Sequence, residues 1–332
     1  MNNKFLPGAV LFIIAFVLSN LASVAQVRAQ GYFCTFYGEL AGSGTTTGSF
    51  DTGFGYAALY YNTTGSGNTA TGYSALHDNT GDDNTAIGSQ ALYYNTTGSS
   101  NTASGTDALS KNKSGSNNTA TGVGALENNT ASANTAHGAF ALFSNTIGVQ
   151  NTANGFNALV SNTSGGHNTA TGFNALQNNT IGNSNTAMGQ GALNLVTTGS
   201  SNTANGQVAL KNLTTGSSNI ALGMNAGINL TTGSNNIDIG NVGVAGDANM
   251  IRIGKQGAQT RTFVAGIFGS TVASGVGVIV NSSGQLGTVL SSERFKEAIK
   301  PMDKASEAIL ALNPVSFRYK HELAPMAFRS SA

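Results

Sequence analysis

One short motif recurs so regularly that it fixes the kind of fold before composition is considered. Asn68-Thr69-Ala70-Thr71-Gly72 returns as Asn84-Thr85-Ala86-Ile87-Gly88, then at Asn101, Asn118, Asn134, Asn151, Asn168, Asn185 and Asn202. Weaker copies start at Asn219 and Asn236, and a degenerate one at Asp51. The spacing is about 17 residues, and two of the copies follow one residue sooner. Each unit also carries an Ala-Leu pair, as at Ala75-Leu76, Ala108-Leu109 and Ala175-Leu176, and a second Asn-Thr-x-Gly, as at Asn95-Thr96-Thr97-Gly98. So short a unit cannot bury a core alone. Stacked on neighbours about 4.8 Å away, it can form one coil of a solenoid.

Within the unit, Thr-Ala-x-Gly reads as a short strand with its small residues inward. Asn-Thr-x-Gly reads as a turn, where Asn and Gly tolerate positive φ. Stacked coils place Asn above Asn and Thr above Thr, so side-chain hydrogen bonds can run as ladders. No proline lies between Gly8 and Lys300, as an unbroken backbone ladder requires. One Leu and a few Ala per coil bury little: about 2–3 kcal/mol of Leu burial, less than ordering the whole coil costs. Backbone hydrogen bonds and association between chains should make up the difference, the latter in a parallel bundle with the Leu rows facing a shared axis.

Composition narrows the function classes. Charged residues are 9%, Pro occurs four times and Gly is 44 of 332. That is too little charge and Pro for simple disorder, and too little Gly and Pro for collagen. A net charge of +1 gives no basis for nucleic-acid binding. Cys34 is the single cysteine, and His77, His137, His167 and His321 are scattered over non-equivalent positions, so neither a metal site nor a cofactor is expected. Asp82-Asp83 reads as a solvated turn, and the calcium-binding nonapeptide pattern is absent. The Asn-x-Thr and Asn-x-Ser triplets keep their place in the repeat, which favours turns and ladders over glycosylation. Tyr60-Tyr61 and Tyr93-Tyr94 either stack on a sugar or cap an edge of the solenoid.

The two ends differ from the middle. Met1 to Lys4 carries one positive charge, Val10 to Leu18 is an apolar centre, and Val27-Arg28-Ala29 places small residues at −3 and −1. This is the layout of a signal peptide over 1–29, cleaved near Ala29; the apolar core is short for a membrane span. No later stretch is apolar enough to cross a bilayer, so the exported chain should lack a transmembrane span. A lead-in over 30–49 precedes repeats over 50–240. From 241 to 290 the period fades into a β-rich connector, with strands over Asn249–Gly254, Thr262–Ile267 and Val276–Val280 and a turn at Asn281–Gly284. Charge then rises: twelve charged residues lie between Ser291 and Ala332, against ten between Gln30 and Asn236. An amphipathic helix is expected over Asp303–Leu312, stopped by Pro314, followed by a strand over Val315–Tyr319.

Two resemblances follow from these residues. The Asn-Thr-Ala-x-Gly-x-x-Ala-Leu repeats, over about Phe50 to Gly240, resemble the head repeats of trimeric autotransporter adhesins (YadA-like heads), whose familiar unit is somewhat shorter. The resemblance implies an all-β, left-handed parallel β-roll, three chains around one axis, and an adhesive role. Ser291-Ser292-Glu293-Arg294-Phe295-Lys296 resembles the start of the endosialidase-type intramolecular chaperone domain of tail fibres, which assembles three chains and then cuts itself off. That resemblance implies Ser291 as nucleophile, Lys296 as general base and the Leu290–Ser291 bond as the one cut. Ser292 stands where the family has Asp, and 291–332 covers only the domain's first part. A Ser–Lys pair without a completed site is therefore the competing expectation, with no other enzyme activity. Together these features predict a secreted, fibrous, homotrimeric surface protein that contacts a glycan or host receptor. The alternatives are a phage-derived, self-processing fibre fragment, or an ice- or polysaccharide-binding solenoid with a Thr ladder as its active face.

Overall fold

The computed structural model describes residues 33–265, 267 and 277–288. The expected signal segment, the helix over 303–312 and the strand over 315–319 lie outside them. The chain divides into two compact units, Met1–Arg261 and Thr262–Ala332.

In the first unit every Thr-Ala-x triplet becomes a three-residue strand. Fourteen strands, β1 (Thr35–Tyr37) to β14 (Ile251–Ile253), form one parallel sheet in which each pairs with the next in sequence. Register follows the repeat position for position: Thr152 faces Thr169, Ala153 faces Ala170 and Asn154 faces Thr171. The result is a parallel β-solenoid of about thirteen turns, about 60 Å long at the usual strand spacing. No helix occurs among the described residues. The sheet runs one strand beyond each end of the 50–240 region. At the C-terminal end the coil shortens: Ile237 lies opposite Ile251, and Asn236 Oδ1 accepts the N–H of Met250 at 3.1 Å.

The core is a stack of identical layers. The strand Ala and the Ala-Leu pair of each coil are fully buried, from Ala70, Ala75 and Leu76 to Ala204, Ala209 and Leu210. The Leu rows therefore do not face a shared axis, as expected from the thin core. They fill each chain's own interior, because each coil winds tightly enough for one Leu per layer to close it.

The turn geometry also departs from expectation. Positive φ falls on the buried Leu itself, at 55° for Leu59 and 52° for Leu142, and on the residue before the ladder Asn, such as Ser100 and His167. It does not fall on the Asn or Gly of Asn-Thr-x-Gly. A left-handed Leu costs about 1–2 kcal/mol; full burial of its side chain offsets that, and its N–H still bonds the next coil, Leu59 to Ala75 O at 3.0 Å. The turn glycines are needed for space instead. A Cβ on Gly65 would lie 2.6 Å from Asn62 Oδ1.

Two buried asparagine ladders fix the coils to one another. In the first, each Asn Oδ1 accepts the backbone N–H of the next rung: Asn151 N to Asn134 Oδ1 is 2.9 Å and Asn168 N to Asn151 Oδ1 is 3.0 Å. Asn151 Nδ2 donates to Asn134 Oδ1 at 3.2 Å and to Gly165 O, one coil on, at 2.8 Å. In the second, Asn145 Nδ2 donates to Asn129 Oδ1 at 2.7 Å and to its own turn at Gly148 O at 2.9 Å. The two shorter coils drop the x of Asn-Thr-x-Gly, leaving Asn79-Thr80-Gly81 and Asn129-Thr130-Ala131. The deletion is absorbed in the turn, and the strands keep register.

The N-terminal coil is closed by exchange of one residue. Phe36 stands in the strand-Ala position and is 2% exposed. Room for its ring comes from Gly42 at the Leu position and Gly53 in the facing strand, where a Cβ would meet ring atoms at 2.5 and 2.9 Å.

In the second unit, β15 (Val278–Val280) pairs antiparallel with β16 (Leu286–Thr288), Val278 facing Thr288. The expected turn joins them, with Asn281 Oδ1 accepting N–H bonds from Ser283 and Gln285, both at 3.0 Å. Residues 262–265 form no strand, contrary to the expected Thr262–Ile267 element.

Asn151→Ala removes one acceptor and one two-bond donor from the buried interior, stranding Asn168 N–H and Gly165 O. Each buried orphan costs about 1–3 kcal/mol, so a loss of about 3 kcal/mol is expected in denaturant unfolding of the full chain.

Candidate functional site

The outer face of the solenoid is built from rows, each set by one repeat position. The first position of the first eleven strands is always Thr, from Thr35 to Thr203. The third is mixed, including Phe54, Ile87, His137 and Met188. Thr stands at both positions only at Thr69/Thr71, Thr119/Thr121 and Thr169/Thr171. The sheet therefore presents one regular hydroxyl row beside an irregular one. Thr102 and Thr119 belong to this single row. A second Thr row lies on the turns, where Thr96 Oγ1 donates to Lys113 O at 2.7 Å and Thr146 Oγ1 to Thr163 O at 2.9 Å. Its hydroxyl protons are committed to the backbone. Beside it, Ser99 N donates to Ser116 Oγ and Ser200 N to Ser217 Oγ. Asp82 takes a rung of this row, accepting Ser66 N–H at 2.8 Å.

The tyrosine pairs come together with a residue that sequence reasoning leaves apart. His77 occupies the same repeat position as Tyr60 and Tyr93, directly after the buried Leu. Its ring stacks on Tyr93 with centroids 4.7 Å apart, leans on Tyr60 at 5.2 Å and meets Tyr61 edge-on at 5.2 Å. Tyr94 meets Tyr93 edge-on at 4.5 Å. His77 Nδ1 lies 2.6 Å from Asp78 Oδ1. Most ring faces in this cluster are turned to one another. Tyr61 and Tyr94 remain half exposed, with Asp78 between them in their row. Their shared offset from Leu is the signal that joins His77 to the pairs.

Two carboxylates are buried at the ends of the stack. Asp51 replaces Asn in the first ladder and is fully buried. It accepts from Asn68 N at 2.9 Å, Asn68 Nδ2 at 3.2 Å and Asn62 Nδ2 at 2.9 Å. Burial nevertheless outweighs these bonds and pushes its pKa up to about 6. Asp238 replaces the strand Ala of β13 (Ile237–Ile239) and is 2% exposed. Its pKa is also raised to about 6, by burial first and then by the Asp247 charge, against the pull of Arg252. Asp247 and Arg252 pair with each other at 2.6 Å. No group of three His, Cys, Asp or Glu stands close enough to hold a metal ion among the described residues.

Ser291 and Lys296 lie outside the described residues. The segment that contains them resembles a known family. Residues 291–329 match the family model described as chaperone of endosialidase, and the match starts at Ser291. That family is linked to autoproteolysis as a chaperone, not as an enzyme acting on other substrates. No curated protein matches the chain. A parallel solenoid joined to a chaperone-of-endosialidase segment fits a tail-fibre-like fibrous protein.

Asp51 offers a test of the ladder's electrostatics. Its folded pKa is above the ordinary 3.8, so the folded state binds the extra proton between about pH 4 and 6. The native contribution is then greatest below pH 4 and is lost as pH rises through 6. Asp51→Asn restores the residue found at every later rung. It should raise the melting temperature at pH 7 and leave it nearly unchanged at pH 4.

Proposed function

We propose that the protein is a secreted, homotrimeric fibre that holds a contact surface away from its point of attachment. The observation that carries this reading is the pairing, in one chain, of a long solenoid with the chaperone-of-endosialidase match at 291–329. The described rod is a stack of near-identical layers with a filled interior and a neutral, hydroxyl-rich surface. Such a surface suits adhesion better than turnover. The apolar centre from Val10 to Leu18, ahead of the small residues of Val27-Arg28-Ala29, supports export, and no helix among the described residues is long and apolar enough to cross a membrane. The exposed rings of Tyr61 and Tyr94, flanking the Asp78 carboxylate, support a glycan as the contacted chemistry, since ring faces take sugar C–H groups and the carboxylate takes hydroxyls.

A second reading concerns processing. The match begins at Ser291, followed at Lys296 by a side chain able to take the hydroxyl proton. Attack of Ser291 Oγ on the Leu290 carbonyl would displace the amide nitrogen, and water would release the acyl group.

Native mass spectrometry of the full chain tests both. A threefold mass is expected, and for processing a subunit ending at Leu290 that Ser291→Ala keeps whole. A single uncut chain overturns the fibre and the cleavage together; an uncut trimer overturns cleavage alone.

A further inference from the structure

The Thr row of the sheet ends abruptly. Over the last three strands, β12 (Ile220–Leu222), β13 and β14, both outward positions become branched aliphatics: Ile220, Leu222, Ile237, Ile239, Ile251 and Ile253. They stack in register as two straight rows. Ile251 and Ile253 are 68% and 72% exposed, and Ile220 and Leu222 nearly half. Met224, at 68%, extends the patch. Nothing in the fold requires this. Thr fills the first position in eleven coils on the same backbone, and the inward positions of these strands hold Ala221, Asp238 and Arg252.

We propose that this aliphatic face is a seam between copies of the same chain. The inference rests on the multi-chain fibre reading and names the surface that would hold the chains together. The patch presents on the order of 500 Å² of apolar area, at the upper end of what a monomer leaves bare. Shared between copies it reaches roughly the 1,000 Å² that a specific interface needs. The nearest ion pair, Asp247–Arg252, is closed within the chain at 2.6 Å, which leaves the exposed Lys255 as the charge at the border of the patch. The straight rows run along the stack at the strand interval, so an axis parallel to them sets each Ile level with the same Ile of the other copies, and the rows meet along their length.

The test uses the full chain. Ile220→Thr/Ile237→Thr/Ile251→Thr places at each site the residue that the same repeat position carries elsewhere, so the solenoid should form, as its strand signal in circular dichroism will show. The unaltered chain is expected to run as an oligomer, and the triple variant to dissociate at least tenfold more readily. Ile253→Cys should form a copy-to-copy disulfide on oxidation, beyond any seen with the buried Cys34 alone. An oligomer that the triple variant leaves intact, with the introduced thiol open to a thiol reagent, overturns the seam and keeps the fibre reading. A monomer with the introduced thiol protected means that this chain's own segment covers the face, and overturns the seam. A monomer with that thiol freely labelled overturns both.

Discussion

Everything in the solenoid depends on the buried amide of the ladder asparagine. A parallel stack of short coils leaves many turn N–H and C=O groups inside, where each must be paired. Asn meets this need because one side chain carries both an acceptor and a two-proton donor. Asn151 bonds the coil before it through Nδ2 and receives the backbone N–H of the coil after it at Oδ1. Its second Nδ2 proton takes a turn carbonyl, Gly165 O. The same side chain therefore satisfies three groups and sets the register between coils. A slip of one residue would turn the strand Ala outward and leave the ladder amides unpaired, so core and ladder fix the same register.

The second ladder shows what happens where that logic stops. It runs from Asn62 to Asn179 and then gives way to Val196, Leu213 and Leu230, all buried. Asn179 Oδ1 has no donor, because the next rung is Val196. Asn112 Oδ1 is likewise unpartnered: in the short coil above it, Asn129 Nδ2 bonds only Ala131 O. In the other short coil the turn residue is Gly81, and Asn79 reaches Asn62 Oδ1 at 3.1 Å. A deletion at the same place is thus absorbed with or without loss of a rung, according to the neighbouring residue. The first ladder, unbroken from Asn68 to Asn236, carries register across both defects.

Much of this is legible in the sequence, because a repeat makes every coil a vote on the same question. Strand, turn, coil length and the Asn ladder follow from position alone. Three features do not. The left-handed Leu is hidden because Leu is a poor choice for positive φ on local grounds, and only tertiary burial selects it. A thin core points to Leu rows on a shared axis; how tightly one coil closes on itself is a property of the backbone path, which the residue pattern does not contain. The first coil escapes the repeat because Cys34 and Phe36 replace the two residues by which a coil is recognised, Asn and Ala. The candidate chemistry at Ser291 rests on a short motif, and the family match starts at the same residue.

The departures from the repeat are where function can reside. A layer identical to its neighbours on both sides presents a surface determined by stacking, and its turn Thr hydroxyls are taken up by backbone carbonyls. Positions that break the pattern are free to differ, and they cluster. Aromatic rings gather on the coils around His77, buried carboxylates sit at Asp51 and Asp238, and aliphatic rows replace Thr over β12 to β14. The two ends of the stack are physically unlike its middle, since an end layer has one neighbour instead of two. At the N-terminal end Phe36 turns its ring inward and closes the core. At the other end the aliphatic residues point outward, and the interior holds Asp238 in place of Ala. A stack that was merely ending would bury its apolar side chains and expose its charged ones. In β13 the order is the reverse: Ile237 and Ile239 stand on the outer face while Asp238 is buried in the place of Ala.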